Sequence, residues 1–178
     1  MIDARNYCAV EETLRDGTEV IIRSVRPDDR DRLVNAFREL DPQSVYTRFF
    51  GYRKEPTAEE LARLDSLDFV REVALVATKT TDDKVVIGGG RYVTRDVDGV
   101  REAEVAFTIE EAYQGRGLAG RLLKHLIVIA RDAGIERFEA EVLSENRPML
   151  AVFEHSGLPV KQSNKSGVVH VELALSTN

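Results

Sequence analysis

The sequence predicts a single α/β (α+β) domain. Its core is a mixed, mostly antiparallel twisted sheet of about six or seven strands, flanked by about four or five helices. Three observations carry this expectation. Three strand-like runs follow one another from Val73 to Ile109 with only short polar turns between them, an antiparallel meander. A long amphipathic run from Leu118 to Ala130 then leads to another strand-like run, which makes one strand–helix–strand crossover. Between the meander and that helix lies Gln114-Gly115-Arg116-Gly117-Leu118-Ala119, where two glycines permit a tight turn and leave main-chain N–H groups uncovered.

The first 17 residues have weak periodicity, end in the turn signal Asp16-Gly17 and are expected to be a peripheral lead to a domain spanning 1–178. Glu19 to Val25 reads as a strand. Pro27, Asp28 and Asp29 open a helix, since proline suits a first turn and acids suit the helix dipole. Leu33, Val34, Phe37 and Leu40 continue it to Asp41-Pro42. Ser44 to Tyr52 holds four of the chain's twelve aromatic residues. It reads as a short helix pinned by Phe49 and Phe50, or as a substrate-facing loop using Tyr46, Arg48 or Tyr52. Pro56-Thr57 with Glu59 and Glu60 starts another short helix. Val73–Thr78 and Val85–Val93 are paired strands, and Gly88-Gly89-Gly90 in the second indicates a bulge or a close backbone approach. Glu102 to Ile109 alternates, with Ala103, Val105, Phe107 and Ile109 on one face. Gly134 ends the long helix. Phe138 to Val142 is a strand, Asn146 caps a helix with Pro148 near its start, and two strands close the chain around Asn164 to Gly167.

Composition narrows the function. Hydrophobic residues are 43% of the chain, enough for a core, and 31 acids against 25 bases leave a net charge of -6. That balance argues against nucleic acid as a main partner. No run reaches the roughly 18–20 apolar residues of a membrane span, and the N-terminus lacks the pattern of a signal peptide. Cys8 is the only cysteine, so no internal disulfide forms, and no Cys/His spacing indicates a metal. A cytoplasmic location is the expectation.

A strand, a glycine turn and a helix N-terminus make an anion site. Gly115 to Gly120 matches G-x-G-x-x-G literally, but Glu110 to Gln114 separate it from the strand and no acid stands at the end of a following strand, against a dinucleotide fold. No Lys-Ser/Thr follows the glycines, against a P-loop. The same residues also read as Q-x-x-G-x-A. Together with Ala103 to Phe107 before them, Leu122-Leu123 after them, and Asn146 followed by Gly157, they resemble the acetyl-CoA motif of the GNAT N-acetyltransferase superfamily. The matching order of elements runs from about Glu19 to Leu175.

The resemblance implies acetyl-CoA as cosubstrate and no metal. It implies that main-chain groups of Gln114, Gly115, Arg116, Gly117, Leu118 and Ala119 hold the pyrophosphate. It also implies that Val105, Ala106, Phe107 and Ile109 pair with the pantetheine arm, and that the strand at 139–142 splays to admit it. Ser44 to Gly51, Ala103-Glu104-Val105 and Glu141 to Met149 are further similar to the catalytic domain of bacterial Pat-type protein-lysine acetyltransferases. Such enzymes usually carry a regulatory domain, for which 178 residues leave no room.

On this reading an amine attacks the thioester carbonyl, and a base must take its proton. Glu104, on the polar face of the strand beside the thioester, is the first candidate. Glu102 is the fallback, and Glu139 and Glu141 are weaker. Many members donate a proton from a tyrosine seven residues after the matching asparagine, where this chain has Phe153; His155 and Ser156 read as helix-end residues. Asn146 orients the cofactor or caps its helix. Arg116, Arg121 and Lys124 on the first turns of the long helix read either as a solvated basic face or as a source of at least one contact to a CoA phosphate, while His125 and His170 lack an evident partner. The acceptor is a protein lysine, such as one on an acyl-CoA synthetase. A small amine, or a non-catalytic acyl-CoA sensor, is the alternative.

Overall fold

The computed structural model describes residues 1–7, 10–49 and 55–176. Cys8, Phe50 and Tyr52 lie outside them, as does the side chain of Phe49, so the two expected aromatic anchors are not among the described groups. The described residues form one eight-stranded sheet in the order β1-β2-β3-β4-β5-β6-β8-β7. The strands are β1 (Val10–Thr13), β2 (Glu19–Ser24), β3 (Glu72–Lys79), β4 (Asp82–Val97), β5 (Val100–Ile109), β6 (Arg137–Leu143), β7 (Val160–Lys165) and β8 (Val168–Ala174). All neighbours are antiparallel except β5 and β6, which the crossover makes parallel. The helices are α1 (Arg30–Arg38), α2 (Pro42–Phe49), α3 (Ala58–Asp65), α4 (Leu118–Asp132) and α5 (Arg147–Glu154). No helix among the described residues is long and apolar enough to cross a membrane.

The strand beyond expectation is β1. Residues 1–17 are not a peripheral lead: Val10 to Thr13 pair with Ile22 to Glu19, Leu14 is buried, and Ser24 Oγ donates to the Ala4 carbonyl at 2.5 Å. The hydrophobic pattern missed this because an edge strand of four residues need bury few side chains. The segment also reaches α4. Tyr7 Oη lies 2.7 Å from His125 Nδ1, His125 Nε2 lies 3.0 Å from Glu12, and Arg121 pairs with Glu12 at 2.9 Å. His125 is therefore a partnered interior group, 6% exposed, which corrects the expectation that it stands alone.

The core follows from alternation. Val73, Leu75, Tyr92, Ala103, Val105, Phe107, Phe138 and Val171 turn one sheet face toward α4 and α5, where Leu118, Leu122, Leu126 and Phe153 close the larger apolar cluster. The other face carries a smaller cluster, Val25, Leu67, Ala74, Val76 and Val86, under α1 and α3. The three glycines of β4 serve both expected purposes. The β3–β4 register shifts between Ala77↔Gly88 and Thr78↔Val86, a bulge at Ile87. A Cβ on Gly90 would come within 2.7 Å of the Phe107 ring, so the strand lies tight against its neighbour's side chain. Gly134 (φ 74°) ends α4 in a Schellman motif, with Ile135 N–H donating to Ala130 O at 2.9 Å. Thr57 and Glu60 exchange side chain–backbone hydrogen bonds of 3.2 and 2.9 Å and start α3.

An interior ion pair joins β2 to α1. Arg23 (3% exposed) meets Asp29 (0% exposed) through two hydrogen bonds of 2.6 and 2.8 Å, and Arg26 N–H and Arg32 also donate to that carboxylate. Burial pushes the Asp29 carboxyl up, but the Arg23 guanidinium, the Arg26 N–H and Arg32 outweigh it and hold it below the usual carboxylate range. Removing the carboxylate leaves Arg23 buried without a counter-charge. Asp29→Asn is therefore expected to cost roughly 3–5 kcal/mol at pH 7 in urea unfolding. Because the folded pKa is depressed, the wild-type contribution is present above the unfolded value of about 3.9 and is lost as pH falls through the folded value. The gap between wild type and variant should shrink at pH 3; an unchanged gap would show that the ion pair is not its source.

Candidate active site

The site is built where β5 and β6 part. They pair at Glu102↔Arg137, Ala103↔Phe138 and Glu104↔Glu139, and no further. Beyond Glu104, β5 continues beside β4 to Ile109, while β6 continues beside β8 to Leu143. The two strands thus diverge, and the main chain of Val105 to Ile109 has no strand on its β6 side. A cleft runs from this fork to the start of α4. Glu104, Val105, Ala106, Phe107, Ile109, Gln114, Gly115, Gly117, Leu118, Ala119 and Asn146 all line it.

Four charged groups lock the closed end of the fork. Glu102 is 1% exposed, and accepts from Arg95 Nε at 2.7 Å and Arg137 Nε at 3.1 Å. Arg95 and Arg137 also bind Glu139. Burial pushes the Glu102 carboxyl up, but hydrogen bonds from Arg137 and Arg95 outweigh that and hold it below its usual range. Glu102 is therefore a clamped structural anion and not a spare base, contrary to its place as fallback candidate. Glu139 is held by the same guanidiniums, and Glu141 pairs with His170 Nδ1 at 2.7 Å. Glu139, His170 and Glu172 lie within 4.8 Å of one another, but Arg137 reaches both carboxylates of that group. His170, like His125, has partners that the sequence did not reveal. Glu104 is exposed and, among the described residues, forms no ion pair.

At the other end of the cleft, Glu111–Tyr113 forms a single 3-10 turn and the chain then passes through Gly115 (φ 71°) and Gly117 (φ 90°) into α4. Gly117 is the N-cap of α4, and no side chain caps the helix. The first-turn N–H groups of α4, with the positive end of its dipole, face the cleft. Gln114 braces this loop: its Nε2 donates to Ile109 O at 3.0 Å and to Ser44 Oγ at 3.1 Å, tying it to β5 and α2. The Arg116 side chain turns away. It pairs with Asp16 and sits 5.2 Å from the centre of the Tyr113 ring, so only its main chain serves the loop. Arg121 is likewise taken up by Glu12, whereas Lys124 lines the cleft.

One residue escaped the sequence reading. Arg15 lines the cleft, and its Nε would lie 3.4 Å from a Cβ on Gly117. Its N–H donates to Arg116 O at 3.0 Å, while its guanidinium makes no ion pair among the described residues. No local signal marks it, because its place depends on β1 joining the sheet a hundred residues from the glycine loop. Asn146 caps α5 by accepting from Met149 N–H at 3.3 Å, and it borders the cleft while doing so. Phe153 is 1% exposed and packs on Phe107 with ring centres 6.2 Å apart. It is a wall of the cleft and carries no proton to give. His155 Nδ1 is 2.7 Å from the Ala151 carbonyl, a helix-end contact.

The cleft can hold an anionic head at the uncapped helix and an extended amide-bearing arm along the free edge of β5, ending at Glu104. Known proteins are similar to this chain in sequence and in fold. The family model for the acetyltransferase (GNAT) family matches residues 34–158. Acetyltransferase Pat of Mycolicibacterium smegmatis is 35% identical over 144 residues, covering 81% of this chain and 42% of that protein, so the chain spans less than half of that relative. Acetyltransferase PA5475 of Pseudomonas aeruginosa is 34% identical over 149 residues, covering 80% of this chain and 79% of that protein. The crystal structure of the GNAT domain of S. lividans PAT superposes with a TM-score of 0.83 at 36% identity, covering 93% of this chain and 96% of the other. A match spanning most of the fold, and both sides of the fork, establishes that this chain belongs to the acetyltransferase (GNAT) family.

Proposed function

We propose that the chain is an acetyl-CoA-dependent N-acetyltransferase acting on a primary amine, and that the amine is a protein lysine. The observation that carries the catalytic reading is Glu104. Among the described residues it forms no ion pair, and it stands where the strands separate, whereas Glu102 and Glu139 are held by Arg95 and Arg137.

Bound acetyl-CoA supplies a thioester carbonyl as the acyl donor. The main-chain N–H groups of residues 115–119 hold the pyrophosphate, helped by the α4 dipole and by Arg15 and Lys124 at the mouth. The open edge of Val105 to Ile109 bonds the pantetheine amides as a neighbouring strand would, which satisfies main-chain groups that the splay leaves without partners. An amine of pKa near 10 arrives as ammonium, and Glu104 takes the proton, directly or through a water. The amine nitrogen then bonds the acetyl carbon, the C–S bond breaks, and the nitrogen's second proton passes to water. Phe153 gives the departing thiolate nothing, so the thiolate leaves as the anion or takes its proton from water.

The lysine reading rests on the Pat relatives, and an AMP-forming acyl-CoA synthetase is the acceptor to try first. A single cysteine, Cys8, agrees with a reducing, cytoplasmic setting. Acetyl-CoA is to be incubated with the protein and with that synthetase, or with small amines, while free CoA and acceptor mass are followed. A 42 Da gain on a lysine is expected for acetyl replacing hydrogen, on the order of one transfer per event. Binding without turnover of any acceptor would favour a sensor.

Glu104→Gln is expected to lower kcat by about 10²–10⁴ while acetyl-CoA binding measured by calorimetry stays unchanged. Wild-type turnover across pH in that variant would remove Glu104 as the base. Gly117→Ala forces a Cβ into the left-handed region and is expected to cost about 1–2 kcal/mol of stability. Because the loop N–H groups also shift, acetyl-CoA affinity should fall by more than that loss explains. Equal affinity in both proteins would mean the loop does not hold the phosphates.

A further inference from the structure

A second cavity lies on the far side of the sheet from α4, between the strands and the helices α1 and α3. Its volume is about 200 Å³. Leu33, Leu64, Val76 and Val86 wall it, and Gly89 and Ala106 form its floor. The cause of the void is visible in the packing. No residue of α3 is buried and only Phe37 of α1 is, while the sheet beneath offers small side chains. A Cβ on Gly89 would come within 3.0 Å of the Leu75 carbonyl, so the absence of a side chain there keeps this strand face low. The lining is mainly apolar, with Arg48, Glu60, Arg63, Glu72, Arg91 and Glu110 also bordering the space.

The cavity borders the cofactor cleft. Ala106, Thr108 and Arg48 line both. Val105 and Phe107 point into the core on the α4 side, so Ala106 and Thr108 project to the opposite face, where the cavity begins. An acyl group whose thioester lies against the free edge of β5 therefore has an apolar exit past Ala106.

We propose that this cavity is an acyl-chain pocket, and that the protein takes acyl-CoA donors of about four to eight carbons in addition to acetyl-CoA. This rests on the cleft being the acyl-CoA site. An apolar cavity of about 150 Å³ holds a six-carbon benzene, so about 200 Å³ suits a chain of that order. The transfer is otherwise the same: Glu104 takes the ammonium proton, the amine nitrogen bonds the acyl carbon, the C–S bond breaks, CoA leaves as thiolate and the nitrogen's second proton passes to water.

Calorimetry with CoA, acetyl-CoA, hexanoyl-CoA and dodecanoyl-CoA tests the pocket without any acceptor. Hexanoyl-CoA is expected to bind at least tenfold more tightly than acetyl-CoA, with no further gain for dodecanoyl-CoA. Val76→Phe, and Leu64→Phe on the half-buried helix face in case the first variant fails to fold, should erase that gain and leave acetyl-CoA affinity within twofold. Equal affinity of the wild type for acetyl- and hexanoyl-CoA overturns the proposal, as does an equal loss for both ligands in the folded variants. Tight hexanoyl-CoA binding with no amine acylated would sink the transferase reading and leave the pocket standing.

Discussion

The rest of the structure depends on a limit to strand pairing: β5 and β6 run together for three residue pairs and then separate. Inside a sheet, separation leaves main-chain donors and acceptors without partners, a cost that a fold avoids unless something else fills the gap. The clamp of Glu102 and Glu139 by Arg95 and Arg137 sits at the last paired residues and holds the two strands together there. A buried carboxylate with two guanidiniums is stable only with its partners in place, so the fork's vertex is fixed in position. Beyond it the strands are drawn to different neighbours, β5 to β4 and β6 to β8.

The candidate site residues are arranged along the gap so formed. The glycine loop and the α4 N-terminus close one end and Glu104 stands at the other. Phe107 and Phe153 make the apolar wall between them. The N-terminal segment completes the mouth. By pairing with β2 and bonding to His125 and Arg121, it pulls those two side chains away from the cleft and brings Arg15 beside Gly117. The basic groups left at the mouth are thus selected by which of them the acids Glu12 and Asp16 have already neutralised.

Much of this was legible in the chain. Alternation from Glu102 to Ile109 and the helical spacing from Leu118 to Ala130 are strong local signals, because each side chain's burial follows from backbone period alone. The glycine loop was legible for the same reason, since positive φ at Gly115 and Gly117 is a local demand. The strand at Val10–Thr13 was not, because an edge strand has its hydrogen bonds on one side and little to bury. Nor did the pattern distinguish Glu102 from Glu104, which lie on the same face two residues apart.

That last pair marks the division between the two kinds of information. Sequence by itself determined the order of elements, the glycine turn before α4 and the presence of carboxylates on one face of β5, since these follow from backbone geometry and side-chain period. Only the tertiary structure decided which carboxylate is clamped. Arg95 comes from β4 and Arg137 from β6, and both reach Glu102 because sheet register brings them there. A side chain's charge is written in the chain, but whether it is already neutralised depends on residues brought near it by folding.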